Sequence, residues 1–167
     1  MLSGQPFQNV MVINIFIAAL WHFISFYLCV FINTSFFDAD KKMYRPKKWE
    51  RGGKFYSDTM KINSWKDLLP QHIGKNGFSK DHLNELSIEY IDEFIMETCR
   101  GEWNHTLNCT ISILLMIIND LFTGIIFSAM IFIGNIPFAI IQRYNRFRLQ
   151  RLKRTLLRKA EIKKGNS

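Results

Sequence analysis

Two apolar blocks, at residues 10–32 and 107–141, are separated by a long polar segment and followed by a basic tail. The first block is 23 consecutive residues without a formal charge. At about 1.5 Å of rise per residue, a helix of that length exceeds the roughly 30 Å hydrocarbon core of a bilayer. The chain has no Lys or Arg before residue 41, whereas a secretory signal begins with basic residues. The pattern therefore predicts a retained transmembrane helix at residues 10–32.

The second block is too long for one straight span, because a helix of its length would measure about 52 Å. Asn119 and Asp120 interrupt the block, and Gly124 follows shortly afterwards. We therefore expect two spans, at about residues 104–118 and 122–141, joined by a tight turn at residues 119–123. The first of these spans is long enough only if the helix that carries residues 97–105 continues into it. Pro137 is expected to kink the last span.

The remaining segments also have helical patterns. Apolar residues recur at helical spacing after Ser79, which predicts a helix over residues 79–105. A short interfacial helix is expected around residues 58–69, and an amphipathic basic helix within the tail, residues 142–167. The predicted fold is an all-α integral membrane protein of one membrane domain, residues 1–167, with a loop and the site helix at residues 33–103.

The charge distribution predicts how this protein is oriented. The net charge is +8, and the basic residues gather beside the apolar blocks, at residues 41–54 and in the tail. By the positive-inside rule both flanks are cytoplasmic, so three spans place the N-terminus outside and the C-terminus inside a cell membrane. Anionic membrane lipids, rather than nucleic acid, are the expected partners of these cations. The three cysteines form no CxxC pair, which argues against a disulfide framework or a zinc site.

Ionisable residues are concentrated at residues 97–105, just before the second apolar block. Charge at the entrance to a membrane is expensive and marks a candidate functional site. On a helix, Glu102 and His105 are neighbours three residues apart, and Glu97 can pair with Arg100. A histidine beside a carboxylate is the arrangement required of a general base, because the carboxylate fixes the tautomer. An interfacial salt-bridge cluster and metal ligation are the alternatives, although the HExxH spacing is absent.

A second polar cluster lies at the end of the last apolar block. Arginine offers a planar fork that suits phosphate, and amides suit sugar hydroxyls. Anchoring by the positive-inside rule is the alternative, but it does not require the uncharged polar residues. The candidate binding residues of the second cluster are Asn135, Gln142, Arg143, Tyr144, Asn145 and Arg146.

Within the first span, His22 is either a hydrogen-bonded bundle residue or part of a relay.

Three motifs of the chain resemble those of the glycosyl-4,4′-diaponeurosporenoate acyltransferases, small bacterial membrane proteins of carotenoid biosynthesis. They are KINSWKDLLP at residues 61–70, ETCRGEWNH at residues 97–105 and NIPFAIIQRYNRFRL at residues 135–149. The resemblance covers roughly residues 45–155. The chain departs from the family pattern at Thr106, where the family commonly has Trp, and at Phe147, where it often has Pro.

The resemblance implies a membrane O-acyltransferase that esterifies a fatty acyl chain onto a sugar hydroxyl of a glycosylated carotenoid or lipid. His105 is then the expected base, supported by Glu102 or Glu97, and Arg100 the expected donor to an oxyanion. Trp65 and Lys66 are expected beside the substrate. The expected acyl donor is acyl-CoA or acyl carrier protein, with no cofactor and no metal.

Two other functions stay open on the sequence alone. The chain could be a non-catalytic membrane adaptor or assembly protein, held by its basic flanks. It could also be a metal-dependent membrane hydrolase that uses Glu97, Glu102 and His105. The sequence does not predict an oligomeric state.

Overall fold

The computed structural model describes Leu2, residues 4–69 and residues 87–165, and these residues form helices and turns without any strand. There are four α-helices within them. Helix α1 spans Phe7–Phe31, α2 spans Ile88–Cys109, α3 spans Ile111–Ile118 and α4 spans Leu121–Gly165. The prediction of an all-α fold is confirmed.

Two of these helices are long and apolar enough to cross a membrane, α1 and the N-terminal part of α4. Many of their large apolar side chains, such as Phe16, Phe23 and Ile133, are exposed on the protein surface. Exposed apolar area of this extent fits contact with lipid rather than with water. The helix predicted at residues 10–32 is thus present as α1, three residues earlier at its start.

The second predicted span, residues 104–118, is divided between the end of α2 and α3. A turn at Thr110 separates the two helices, and α3 has only 8 residues. The turn expected at residues 119–123 is shorter than predicted, because Asn119 is extended and α4 already begins at Leu121. The arrangement in three spans stays a prediction.

Helix α4 differs from the sequence prediction in its length. It is a single helix of 45 residues that contains Pro137 and continues into the basic tail. The expected amphipathic tail helix is therefore the C-terminal part of α4. No glycine follows Pro137 before Gly165, so the commonest helix-ending residue is absent from this stretch.

As far as residue 69, the polar segment after α1 forms short helical turns, where one interfacial helix was expected at residues 58–69. A positive φ of 48° at Lys61 interrupts any longer helix. The turns are Thr34–Phe37, Lys48–Gly53, Phe55–Thr59, Ile62–Ser64 and Lys66–Leu68. The start of the helix predicted from Ser79 lies outside the described residues, and α2 is described from Ile88.

The described residues form two compact units. The first unit contains the residues up to Phe36 together with Arg100–Ile140. Its apolar core includes Ile111, Leu115 and Phe127. Inside it, the amides of Asn14 and Asn119 exchange two hydrogen bonds, of 2.9 and 2.7 Å. Each amide also donates to a carbonyl one helical turn earlier, so this buried polar pair is satisfied.

The second unit contains Phe37–Cys99 and the chain from Ile141 onward. Its apolar core joins α2 to the C-terminal part of α4 through Ile91, Ile95 and Leu149. At the edge of this pair, Lys153 Nζ lies 2.5 Å from a carboxylate oxygen of Asp92. The short turns of residues 37–69 belong to the same unit and supply its buried carboxylate, Glu50.

Candidate functional site

His105 lies near the end of α2 in the first unit, half-buried. Its ring nitrogen Nδ1 is 3.3 Å from Oδ1 of Asn135, which projects from α4. One turn along α4, the ring of Phe138 stacks on the imidazole, with 5.2 Å between the ring centroids and an angle of 18°. Two side chains of another helix therefore hold the His105 ring in a defined orientation.

The contact continues from Asn135 to a second histidine, on α1. Asn135 is buried, and its Nδ2 lies 3.3 Å from Nε2 of His22. The same Nδ2 donates to the backbone oxygen of Ile131 at 2.9 Å. On the far side, Nδ1 of His22 lies 2.8 Å from the backbone oxygen of Ala18. Three helices of the first unit thus contribute to one chain of hydrogen bonds, which we call the histidine chain: His22, Asn135 and His105.

This geometry differs from the sequence prediction, in which the carboxylate of Glu102 or Glu97 orients the His105 ring. Within the described part of the protein, the group that contacts Nδ1 is the neutral amide of Asn135. Glu102 is half-buried on α2, and Arg100 is half-buried in the same unit. Glu97 is exposed and belongs to the second unit. The catalytic roles expected of Glu97, Glu102 and Arg100 stay predictions.

The second unit contains a buried ion pair between Glu50 and Arg143. The Nε atom of Arg143 lies 2.7 Å from Oε1 of Glu50, and a terminal nitrogen donates to Oε2 at 2.8 Å. The remaining N–H groups donate to backbone oxygens of Tyr44 at 2.9 Å, Arg45 at 2.7 Å and Met43 at 3.5 Å. All five guanidinium donors are therefore used within the protein.

The Glu50 carboxylate receives further hydrogen bonds. The hydroxyl of Tyr56 donates to Oε1 at 2.6 Å, and the backbone N–H of Lys47 donates to Oε2 at 2.5 Å. Burial by itself raises the pKa of the Glu50 carboxyl. The hydrogen bonds from Arg143, Tyr56 and Lys47 outweigh it and hold this pKa below its ordinary value. Glu50 is thus a stabilised carboxylate that ties the turns of residues 44–56 to α4.

Other residues predicted from the second polar cluster have different surroundings. Arg146 is buried, with a guanidinium nitrogen 3.2 Å from Sγ of Cys99 and its charge over the Tyr44 ring. The hydroxyl of Tyr144 lies 3.2 Å from Oδ1 of Asn63. Arg143 and Arg146 therefore make buried contacts within the second unit, although the sequence favoured them as ligands for phosphate or sugar.

Gln142 and Asn145 are half-buried on α4, and the structure gives their side chains no hydrogen bond within the described residues. Trp65 donates from its indole nitrogen to the backbone oxygen of Met60 at 3.0 Å. Lys66 forms an ion pair of 2.7 Å with Asp67. The substrate-binding roles of these residues stay predictions.

Sequence reasoning missed Glu50 and Tyr56, although one signal was present. Glu50 is the single acidic residue in the basic segment of residues 41–54, and an isolated opposite charge there indicates an ion pair.

Among the described residues, no group of three or more His, Cys, Asp or Glu side chains is placed to hold a metal ion.

Comparison with known proteins gives a consistent result. The family described as glycosyl-4,4′-diaponeurosporenoate acyltransferase matches residues 40–155 of the chain. A protein of that name from Staphylococcus aureus strain MRSA252 is 33% identical over 135 residues, which cover 78% of this chain and 79% of the relative. The protein of the same name from strain Newman is 35% identical over 124 residues, 71% of this chain and 73% of the relative. No solved structure matches the chain.

The match includes all three motifs that carry the sequence resemblance, at residues 61–70, 97–105 and 135–149. It includes His105, Asn135 and Arg143, whereas His22 lies before it. Since the family match spans well over half of the 167 residues, the resemblance noted from the motifs is confirmed. The chain therefore belongs to the glycosyl-4,4′-diaponeurosporenoate acyltransferase family and is an acyl-transferring enzyme.

Proposed function

We propose that this enzyme is an integral membrane O-acyltransferase that esterifies a fatty acyl chain onto a sugar hydroxyl of a glycosylated carotenoid or a related glycosylated lipid. The names of the Staphylococcus aureus relatives support the reaction and the class of acceptor. The exposed apolar surfaces of α1 and α4 support a site beside lipid, where the fatty acyl and polyene chains of the substrates are accommodated.

The orientation of His105 is the observation that carries this proposal. An acyltransferase that acts on a hydroxyl requires a base, because a neutral alcohol is a weak nucleophile. His105 is held by Asn135 and Phe138 through Nδ1 and the ring face, which leaves Nε2 for the substrate. In this scheme Nε2 accepts the proton of the sugar hydroxyl as its oxygen attacks the acyl carbonyl.

The donor is an acyl thioester, either acyl-CoA or an acyl chain carried on acyl carrier protein. The new C–O bond forms as the C–S bond breaks, and the proton held on Nε2 passes to the leaving sulfur. No external oxidant or reductant enters the balance. Arg100 is the proposed donor to the developing oxyanion, and Glu102 or Glu97 the proposed source of negative charge near the imidazolium.

Gln142 and Asn145 are the proposed ligands of the sugar, together with Tyr144. The amides of Gln142 and Asn145 each offer donors and an acceptor, as sugar hydroxyls require, and the structure gives them no hydrogen bond within the described residues. Trp65 and Lys66 are proposed to border the acceptor. Because Arg143 and Arg146 already make buried contacts, their proposed contribution is to hold α4 in place for these ligands.

The proposed orientation is a multi-pass protein of the cell membrane with three spans. The N-terminus and the turn at Asp120 face outside, and the polar segment and the tail face the cytoplasm. The charge distribution supports this, since the basic residues of both flanks then lie on one side. The cytoplasmic donors reach the site from that side, and the basic tail lies on anionic lipid.

The test is a reconstituted reaction with the purified full-length protein in lipid vesicles. Glycosyl-4,4′-diaponeurosporenoate and a simple alkyl glucoside are each offered with acyl-CoA or acyl carrier protein, and esters are identified by mass spectrometry. We expect ester only on the sugar hydroxyl, with the carotenoid glycoside preferred. If neither acceptor is acylated by protein that is folded, the proposal is wrong.

A further inference from the structure

The hydrogen bonds of the histidine chain, in the first unit, run in one donor-to-acceptor direction. We propose that Asn135 and His22 are positioning residues, which hold His105 in the tautomer that has its proton on Nδ1 and a free lone pair on Nε2. This inference rests on the proposed function for its catalytic meaning, whereas the tautomer itself is a property of the resting protein.

The direction is set first by the backbone of α1. The oxygen of Ala18 lies 2.8 Å from Nδ1 of His22, and a carbonyl oxygen only accepts hydrogen bonds. The nitrogen Nδ1 of His22 therefore carries the proton. In a neutral imidazole the other nitrogen, Nε2, is then an acceptor.

The same logic orients the amide of Asn135. Its nitrogen faces two acceptors, Nε2 of His22 at 3.3 Å and the backbone oxygen of Ile131 at 2.9 Å. Exchanging the amide nitrogen and oxygen would set an oxygen against the Ile131 oxygen, which leaves both without a proton. Two independent contacts thus select one of the two amide orientations.

The selected orientation determines the state of His105. It directs Oδ1 of Asn135 toward Nδ1 of His105 at 3.3 Å, and an amide oxygen accepts only. The proton of His105 is therefore on Nδ1, which is the less populated tautomer of free histidine in water. Nε2 is left with its lone pair, as a general base requires.

An amide has a different effect from a carboxylate at this position. It orients the ring without placing a negative charge directly against Nδ1, and it does not titrate. The fixed carbonyls of Ala18 and Ile131, rather than an acidic residue, then supply the direction of the chain. His22 is thereby assigned a role through Asn135, although it is distant in sequence from the family match.

The test is nitrogen NMR of the full-length protein labelled with ¹⁵N-histidine, in detergent at a pH where the four histidines are neutral. Single substitutions such as His105→Gln and His22→Gln assign the signals. We expect His105 to show a protonated Nδ1 and a bare Nε2. A wild-type His105 that carries its proton on Nε2 would overturn the proposal without any reference to acyl transfer.

Asn135→Leu and His22→Phe are expected to convert most of His105 to the tautomer with the proton on Nε2. Asn119→Leu is the matched control, because it removes a buried amide of the same unit that does not contact His105. Folded Asn135→Leu protein with an unchanged His105 tautomer would also overturn the proposal.

Initial rates separate this inference from the proposed function. Asn135→Leu is expected to lower kcat by about 10- to 100-fold with KM for the acceptor unchanged. His22→Gln should retain more activity than His22→Phe, because a glutamine side chain can place an acceptor oxygen where Nε2 of His22 lies. If the tautomer shifts and the rate does not, the histidine chain stands and the catalytic role of His105 is wrong. If the tautomer shifts and kcat falls, both are supported.

Discussion

At the scale of single residues, the buried pair of Glu50 and Arg143 is compatible with a stable fold only while both partners are present. Glu50 is 0% exposed and Arg143 6% exposed, so both charges have lost their contact with water. A buried pair adds little net stability over apolar residues, but removing one partner leaves an uncompensated charge. Removing Glu50 would also break the bonds that Tyr56 and Lys47 donate to it, whereas after removal of Arg143 these two bonds alone would support the buried carboxylate.

Arg143→Met is therefore expected to lower the free energy of unfolding by about 3–5 kcal/mol, because Glu50 loses its counter-charge. Lys153→Met is the matched control, since Lys153 and Asp92 form an exposed pair and exposed pairs contribute only about 0–1 kcal/mol. Thermal unfolding in detergent, followed by tryptophan fluorescence, measures both. Equal shifts for the two variants would refute the assignment of Arg143 to a buried structural pair.

Glu50 makes the stability of the folded protein depend on pH. The pKa of Glu50 is below its ordinary value of 4.5 in the folded protein, so the unfolded chain binds this proton more readily. The stabilisation is complete above 4.5 and is lost as the pH falls through the lower, folded pKa. Glu50→Gln should show the loss already at neutral pH and a weaker dependence of Tm on acidification than wild type. A parallel pH profile in the two proteins would argue against this linkage.

At the scale of elements, the turn of Lys48–Gly53 illustrates how a glycine pair sets the packing of α4. Gly52 and Gly53 both have positive φ, of 64° and 93°. A Cβ at Gly53 would lie 3.0 Å from Cβ of Phe147, whereas one at Gly52 would meet nothing within 4 Å. Phe147 thus packs on Gly53.

Gly52→Ala is expected to lower the free energy of unfolding by about 1–2 kcal/mol, from the left-handed conformation alone. Gly53→Ala combines the same strain with the contact to Phe147, so its loss should be larger. In a Phe147→Ala background the cost of Gly53→Ala should be smaller than in wild type, because the ring atom Cγ, 3.1 Å from the added Cβ, is gone, although the Phe147 Cβ at 3.0 Å remains. Thermal unfolding of wild type, the three single variants and the double variant tests this, and equal effects at the two glycines would contradict the packing.

The sequence predicts elements better than it predicts their ends and partners. Helix α1 followed from 23 uncharged residues, and the start of α4 from the break at Asn119 and Asp120. The uninterrupted α4 was not predicted, because tertiary packing rather than local propensity decides whether a long helix continues past a proline. Residue 105 was identified as a site, but its partner was not, since Asn135 is 30 residues away. The pair of Glu50 and Arg143, 93 residues apart, is beyond any local periodicity.

At the scale of the whole molecule, the proposed orientation in the membrane is open to direct measurement. The native cysteines are buried, so introduced cysteines report accessibility. In intact cells, a membrane-impermeant maleimide should label Asp120→Cys and leave Asp58→Cys and Glu161→Cys unlabelled until the cells are opened. All three positions are exposed on the protein. Labelling of Glu161→Cys from outside would exclude three spans with a cytoplasmic tail.

The central claim is that the lone pair of His105 starts acyl transfer to a sugar hydroxyl. The most direct measurement is the initial rate of ester formation by His105→Ala in membranes, at equal amounts of folded protein, with His72→Ala as a control because His72 is given no role in the proposed reaction. Positioned general bases contribute about 10²- to 10⁴-fold, so the rate of His105→Ala should fall by that factor while His72→Ala keeps the wild-type rate. A His105→Ala protein that forms ester at the wild-type rate would contradict the account.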